Sequence, residues 1–251
     1  MAHDVVQKPV AAVPDQVPRL RGALHAGAFP LALAAGGVLV ALAPGPTARL
    51  GAAVYAVTSA LLFGVSAAYH RAAYHRAAYL RAAYLRAAYH RAAYPRRPGS
   101  ARVRDLLHRC DHANIYLIIA GTYTPLALLA LHGDVRAAVL AVIWVGAAAG
   151  AVFRVAWMHA PRWLYTSLYL ALGWVALAVL PQLARGAGLA VVLLIAAGGI
   201  LYSLGGVVYA LRRPDPLPGW FGFHEVFHAF TVAAYAAQYA AVFLVVCRSP
   251  G

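Results

Sequence analysis

Seven apolar stretches, each long enough to cross about 30 Å of hydrocarbon as a helix, leave this chain little choice but a membrane bundle. They run near Ala26–Ala43, Leu50–Tyr69, Ile115–Leu131, Ala137–Phe153, Leu164–Leu180, Leu189–Leu211 and Val226–Val246. The expected fold is all-α: a polytopic membrane protein with seven transmembrane helices. Of the 251 residues, 63% are hydrophobic and only 11% charged, about half the charge fraction of a soluble domain. A competing count has six spans after a cleaved leader, because Ala41-Leu42-Ala43 has the small-residue form of a signal-peptidase site. The long apolar run and the Pro-rich segment ahead of it favour seven.

Charge distribution orients the bundle. Lysine and arginine total 21 against 7 Asp and Glu. With the N-terminus inside, the inner segments hold Lys8, Arg19, Arg21, the Arg71–Arg109 series, Arg154, Arg162, Arg212 and Arg213. The outer segments keep Arg49, Arg136, Arg185 and Arg248. Positive loops resist translocation, so the N-terminus is expected in the cytoplasm and the C-terminus outside, across the inner (plasma) membrane. This basicity is not a nucleic-acid signal, since no soluble domain is left to bind with. Cys110 and Cys247 then lie at opposite membrane faces and cannot pair.

Residues 1–22 read as a polar cytosolic tail, 23–251 as the seven-helix domain, and 71–96 as an insertion in the cytoplasmic loop between spans two and three. The insertion belongs to a tandem array from Ala67 to Arg96: AAYHR, AAYHR, AAYLR, AAYLR, AAYHR, AAYPR. Five residues advance a helix by about 500°, so successive arginines step about 140° and line no single face. One reading is a basic arm on anionic head groups. The plainer one is an expanded duplication that extends the second helix or frays, tolerated because loop length costs little.

Three polar islands interrupt the apolar stretches: Ser66 with His70, Asp111, and the HEVFH run from His224 to His228. Ionisable groups in such places are costly unless they have a function. Span two ends inside at His70, while spans three and seven start inside at Asp111 and His224, so all three islands meet at one depth. His224 and His228 lie four apart on one helical face, a spacing that suits two imidazoles on one zinc, with His70 as the third ligand. Three nitrogens leave the open position of a catalytic zinc, with Asp111 to hold and deprotonate a water there and Ser66 to hydrogen-bond into the same shell. Among the repeats only His70 has a serine four positions earlier; His75 and His90 have arginines. His112 is set aside as pointing about 100° from Asp111. His25, His132 and His159 fall at span edges and are expected to be solvated, and Cys110 to be plain packing. HEVFH also fits the H-E-x-x-H metalloprotease pattern with Glu225 as base, a short pattern that recurs by chance.

The motifs SAAYHR (Ser66–Arg71), RCDHANIYLIIAGTYTP (Arg109–Pro125) and GFHEVFHAF (Gly222–Phe230) resemble the hemolysin III family, the bacterial branch of the progestin and adipoQ receptor group. In order and placement the resemblance extends over nearly the whole chain apart from the tail and the array. It implies a seven-helix bundle with a cytosolic N-terminus and a zinc ion near the cytoplasmic face held by His70, His224 and His228. It also implies roles for Ser66 and Asp111, the aspartate holding the zinc-bound water. The array directly after His70 departs from the family's pattern. Receptor relatives look like ceramidase-type lipid-amide hydrolases, bacterial members are associated with membrane-lipid homeostasis, and the family name refers to haemolysis. Three functions follow as expectations: a zinc-dependent hydrolase of a lipid amide or ester, with membrane lipids as partners; a non-enzymatic sensor or regulator with structural zinc; and a pore-forming cytolysin. The last needs a polar path across the whole bilayer, whereas these polar residues gather at one depth.

Overall fold

The computed structural model describes residues 18–90 and 100–249, with the side chains of 76–90, 100 and 101 outside the description. It is all-helical there: α1 Ala23–Leu42, α2 Pro46–His90, α3 Ser100–Ala130, α4 Gly133–Ala156, α5 Arg162–Gly173, a 3₁₀ stretch Trp174–Val179, α6 Leu180–Ala187, α7 Leu189–Leu211 and α8 Phe223–Arg248. Seven segments are long and apolar enough to cross a membrane, the fifth being α5, the 3₁₀ stretch and α6 together (Arg162–Ala187). Most of the proposed tail, residues 1–17, and positions 91–96 of the array lie outside the described residues.

α3 is the axis of the bundle. Of its apolar window 67% is buried, against 22% for α1 and α7, which face outward. It packs on α2, α4, α5, α6 and α8. In lipid there is no hydrophobic force to press helices together, so close contact depends on small residues and interhelical hydrogen bonds. Gly51 of α2 lets Pro125 of α3 approach so closely that a Cβ would sit 2.9 Å from the proline Cα. Gly121 of α3 in turn lies under Thr58. The Asn114 amide donates to Leu61 O across the same seam (2.9 Å). Thr122 and Thr124 donate back to Ile118 O and Ala120 O (2.8 and 2.7 Å), so their hydroxyls are satisfied inside the apolar interior.

Two elements depart from plain membrane-length helices. α2 runs unbroken to His90, 45 residues in all, so the array continues the second helix well past its membrane-crossing part. Span five is not one helix, because the WVALAV segment tightens to 3₁₀. Irregular backbone at membrane depth survives only where protein satisfies it. Here the Tyr123 hydroxyl donates to Gly173 O (2.7 Å) and accepts from the Ala176 N–H (2.6 Å). Pro181, in the first turn of α6, restarts the helix.

Connections are short. Gly188 alone links α6 to α7, with φ +86°, a conformation that favours glycine. Alternating helix direction places the starts of α1, α3 and α8 at one end of the bundle, beside His70 of α2.

Candidate metal centre

His70, His224 and His228 converge there from α2 and α8. Their ligand atoms all lie within 4.8 Å of one another. The three rings pack with centroids 4.5 Å (His70–His224), 5.0 Å (His70–His228) and 4.5 Å (His224–His228) apart. His70 Nε2 and His224 Nε2 are 3.1 Å apart. Around a tetrahedral zinc with nitrogens at about 2.0–2.1 Å, neighbouring ligand atoms stand about 3.3 Å from each other, so this pair is already spaced for a shared cation. His228 Nδ1 is buried with no hydrogen-bond partner. Buried imidazoles that face one another rather than protein acceptors fit a divalent metal, and this donor set suits zinc.

Asp111 Oδ2 lies 3.5 Å from His70 Nε2. The carboxylate therefore stands beside the same nitrogen that faces His224. Ser66, one turn before His70, is buried and lines the cavity that Asp111 and the three histidines open onto. That cavity, about 120 Å³, is walled beyond its polar end by Leu62, Ile115, Ile118, Leu170 and Phe227 and runs along the bundle to Gln238.

The sequence profile described as "Haemolysin-III related" matches residues 85–239, more than half of the chain. The chain belongs to that family. It is 34% identical over 152 residues to "Hemolysin-3 homolog" of Bacillus subtilis (strain 168), an alignment covering 59% of this chain and 67% of the relative. It is 35% identical over 144 residues to "Hemolysin-3" of Bacillus cereus (56% and 62% covered). Over 148 residues it is 28% identical to the human "Monocyte to macrophage differentiation factor" (59% of each). The haemolysin-III match is narrower than the three motifs suggest: it holds Asp111, His224 and His228 but begins after Ser66 and His70. The place of those two residues in the site rests on their geometry.

Two histidines set aside on sequence grounds line this candidate site. His25, expected to be solvated, is buried at 2% exposure on α1. Its ring stacks on His228 at 3.7 Å and 2°, edge-on to Phe63 at 5.1 Å, and neither ring nitrogen has a partner. His112 lines the cavity, with Nδ1 donating to His108 O (2.9 Å) and standing 4.0 Å from Asp111 Oδ2. The parity argument that selected His70 and His224 applies equally to His25, at the start of span one, and was the available signal. For His112 there was none, because α3 is covered on several sides and a 100° turn still leaves a residue inside.

Glu225 is occupied elsewhere. Its Oε1 is 3.0 Å from Arg21 Nε, its Oε2 accepts the Gly222 N–H (2.9 Å), and it is 1% exposed. Burial pulls the Arg21 guanidinium below its ordinary pKa, and Glu225 opposes that shift. The same strap positions His70. Gly22 holds φ +75°, and a Cβ there would lie 2.6 Å from His70 Cβ. Arg19 N and Leu20 N donate to Gly219 O and Trp220 O (3.0 and 3.2 Å), tying the strap to the loop before α8. His75, His132 and His159 are exposed. The His90 side chain lies outside the described residues. Cys110 and Cys247 are free, and Cys110 is no part of the histidine group.

Proposed function

We propose that this protein is a zinc-dependent hydrolase of a lipid amide or ester, working at the cytoplasmic end of a bundle in the inner (plasma) membrane. One observation carries the reading: three imidazoles and a carboxylate share the polar end of an otherwise apolar, elongated cavity. His70, His224 and His228 would hold the metal. Zinc bound by three nitrogens supplies a Lewis acid and brings the pKa of water in its open position to about 7. Asp111, whose Oδ2 stands 3.5 Å from His70 Nε2, would accept a proton at this polar end, and the Ser66 hydroxyl, one turn before His70, would support the arrangement. The apolar walls hold an acyl chain and keep bulk water from the reacting carbonyl. The arginine asymmetry supports placing this end in the cytoplasm.

Asp111→Ala tests the mechanism. The expected outcome is zinc content within about twofold of wild type and lipid-amide turnover lowered at least about 100-fold, the scale of losing a general base. Unchanged turnover in that variant would sink the mechanism.

A second reading, zinc as a brace in a sensor or regulator, draws on a different observation. α2 and α8 touch only sparsely, so a metal joining them would be their main link. It expects His224→Ala to lower thermal stability and metal content together while wild type releases no product from any lipid tested. A cytolysin reading leans on the names of the Bacillus relatives. It lacks support in the polar groups, which gather at one end rather than along a path; stepwise conductance in planar bilayers would revive it.

A further inference from the structure

A second cavity, about 130 Å³, begins where the first one ends. Gln238, Thr122, Tyr123, Gly173, Trp174 and Gly199 border both. Beyond them the walls are apolar, with Leu126 from α3, Leu131 just after it, Leu183 from α6 and Val192 from α7. The 3₁₀ break in span five makes this room possible, since Gly173, Trp174 and Ala176 line it while Tyr123 satisfies their backbone.

Gln238 is the polar group at the junction. It is 7% exposed, its Nε2 donates to Ile195 O (3.2 Å), and its Oε1 has no partner. The amide is clamped against Gly198, where a Cβ would come within 2.6 Å of Nε2. An unpaired amide oxygen near the middle of a membrane helix is costly, and polar groups at such depth mark functional positions.

Depth can be measured along two helices. At 1.5 Å per residue, Gln238 lies about 15 Å beyond His228 on α8, and Thr122 about 16 Å beyond Asp111 on α3. With C–C bonds near 1.5 Å, an extended chain advances about 1.3 Å per carbon, so about twelve carbons reach the junction. The second cavity continues along α3 from Thr122 to Leu131, the residue just past the helix end, about 13 Å of further reach.

We propose that the two cavities form one acyl-chain tunnel and that Gln238, at its waist, is a specificity-determining residue for chain length. Chains up to that of dodecanoate end before the amide, and longer ones pass it into the second chamber. This rests on the acyl-hydrolase reading of the histidine site and adds to it the length of the acyl group selected.

Equilibrium binding of decanoate, dodecanoate and palmitate to the purified, zinc-loaded full chain tests this without relying on turnover. Each buried methylene is worth about fourfold in affinity, so palmitate should bind wild type at least about tenfold tighter than dodecanoate. Leu183→Trp, which fills the second chamber, should bring palmitate down to the dodecanoate value and leave dodecanoate within about twofold. Leu126→Phe gives a milder filling if the tryptophan variant does not fold. Gln238→Leu removes the amide at similar volume and should favour palmitate over dodecanoate by about a further fourfold, one methylene's worth. Equal losses for both chains on filling, or an unchanged ratio in Gln238→Leu, would overturn the proposal. So would a wild type that binds none of the three, and that result would take the acyl cavity with it. Absent turnover with the length dependence intact would refute the hydrolase and leave the tunnel standing.

Discussion

Glu225 follows His224 directly, and helix geometry turns the two about 100° apart. One side chain enters the histidine cluster and the other meets Arg21. H-E-x-x-H here is two members of the histidine cluster plus a latch, with the glutamate holding the segment that carries Gly22 against His70. Breaking a buried ion pair by removing one partner costs on the order of 3 kcal/mol. Glu225→Gln is thus expected to lower the melting temperature by several degrees while zinc content stays at the wild-type level, read by thermal denaturation beside metal analysis. A metalloprotease-type base would show the reverse, intact stability with lost turnover. The sequence revealed the histidine pair because both members sit on one helix at a recognisable spacing. It concealed His25, whose partner His228 is some two hundred positions away; a single imidazole next to a span carries no mark of what it will stack against.

The spans were legible as elements because hydropathy and length are local properties of the chain. The 3₁₀ break was not. WVALAV reads as uninterrupted apolar helix, and the hydroxyl that makes the break tolerable comes from Tyr123, fifty residues earlier. As far as His90 the array is a plain extension of α2, consistent with arginines that circle the axis and commit to no surface. Deleting Arg71–His90 leaves SAAYHRAAYP, and the nine residues 91–99 can still span about 30 Å. That exceeds the roughly 16 Å by which α3 rises beyond Asp111. The deletion is expected to bind zinc at the wild-type ratio, measured on detergent-purified protein. Loss of metal would instead make the extension a necessary support for His70.

For the whole molecule, orientation decides which compartment meets the histidine end. Asp105 is exposed on α3 at that end, and Ser249 follows α8 at the other. In a background lacking Cys110 and Cys247, Asp105→Cys should react with an impermeant maleimide only after permeabilisation, and Ser249→Cys in intact cells. The opposite pattern would put the metal centre outside and remove the cytoplasmic reading. Charge asymmetry gives this orientation as an expectation, whereas nothing local in the sequence foreshadows the proposed tunnel. The residues lining its two cavities come from α1 through α8 and from the 3₁₀ stretch, and no local pattern records that they leave a space.

A 26.5 kDa chain whose described helices are mostly of membrane-crossing length and composition offers electron micrographs little to align on inside a detergent belt. α2 changes that: the helix continues from Arg71 to His90, about 30 Å at 1.5 Å per residue. That extension marks the histidine end and serves as a built-in fiducial, letting particle images be aligned and the bundle's two ends told apart without a bound antibody fragment.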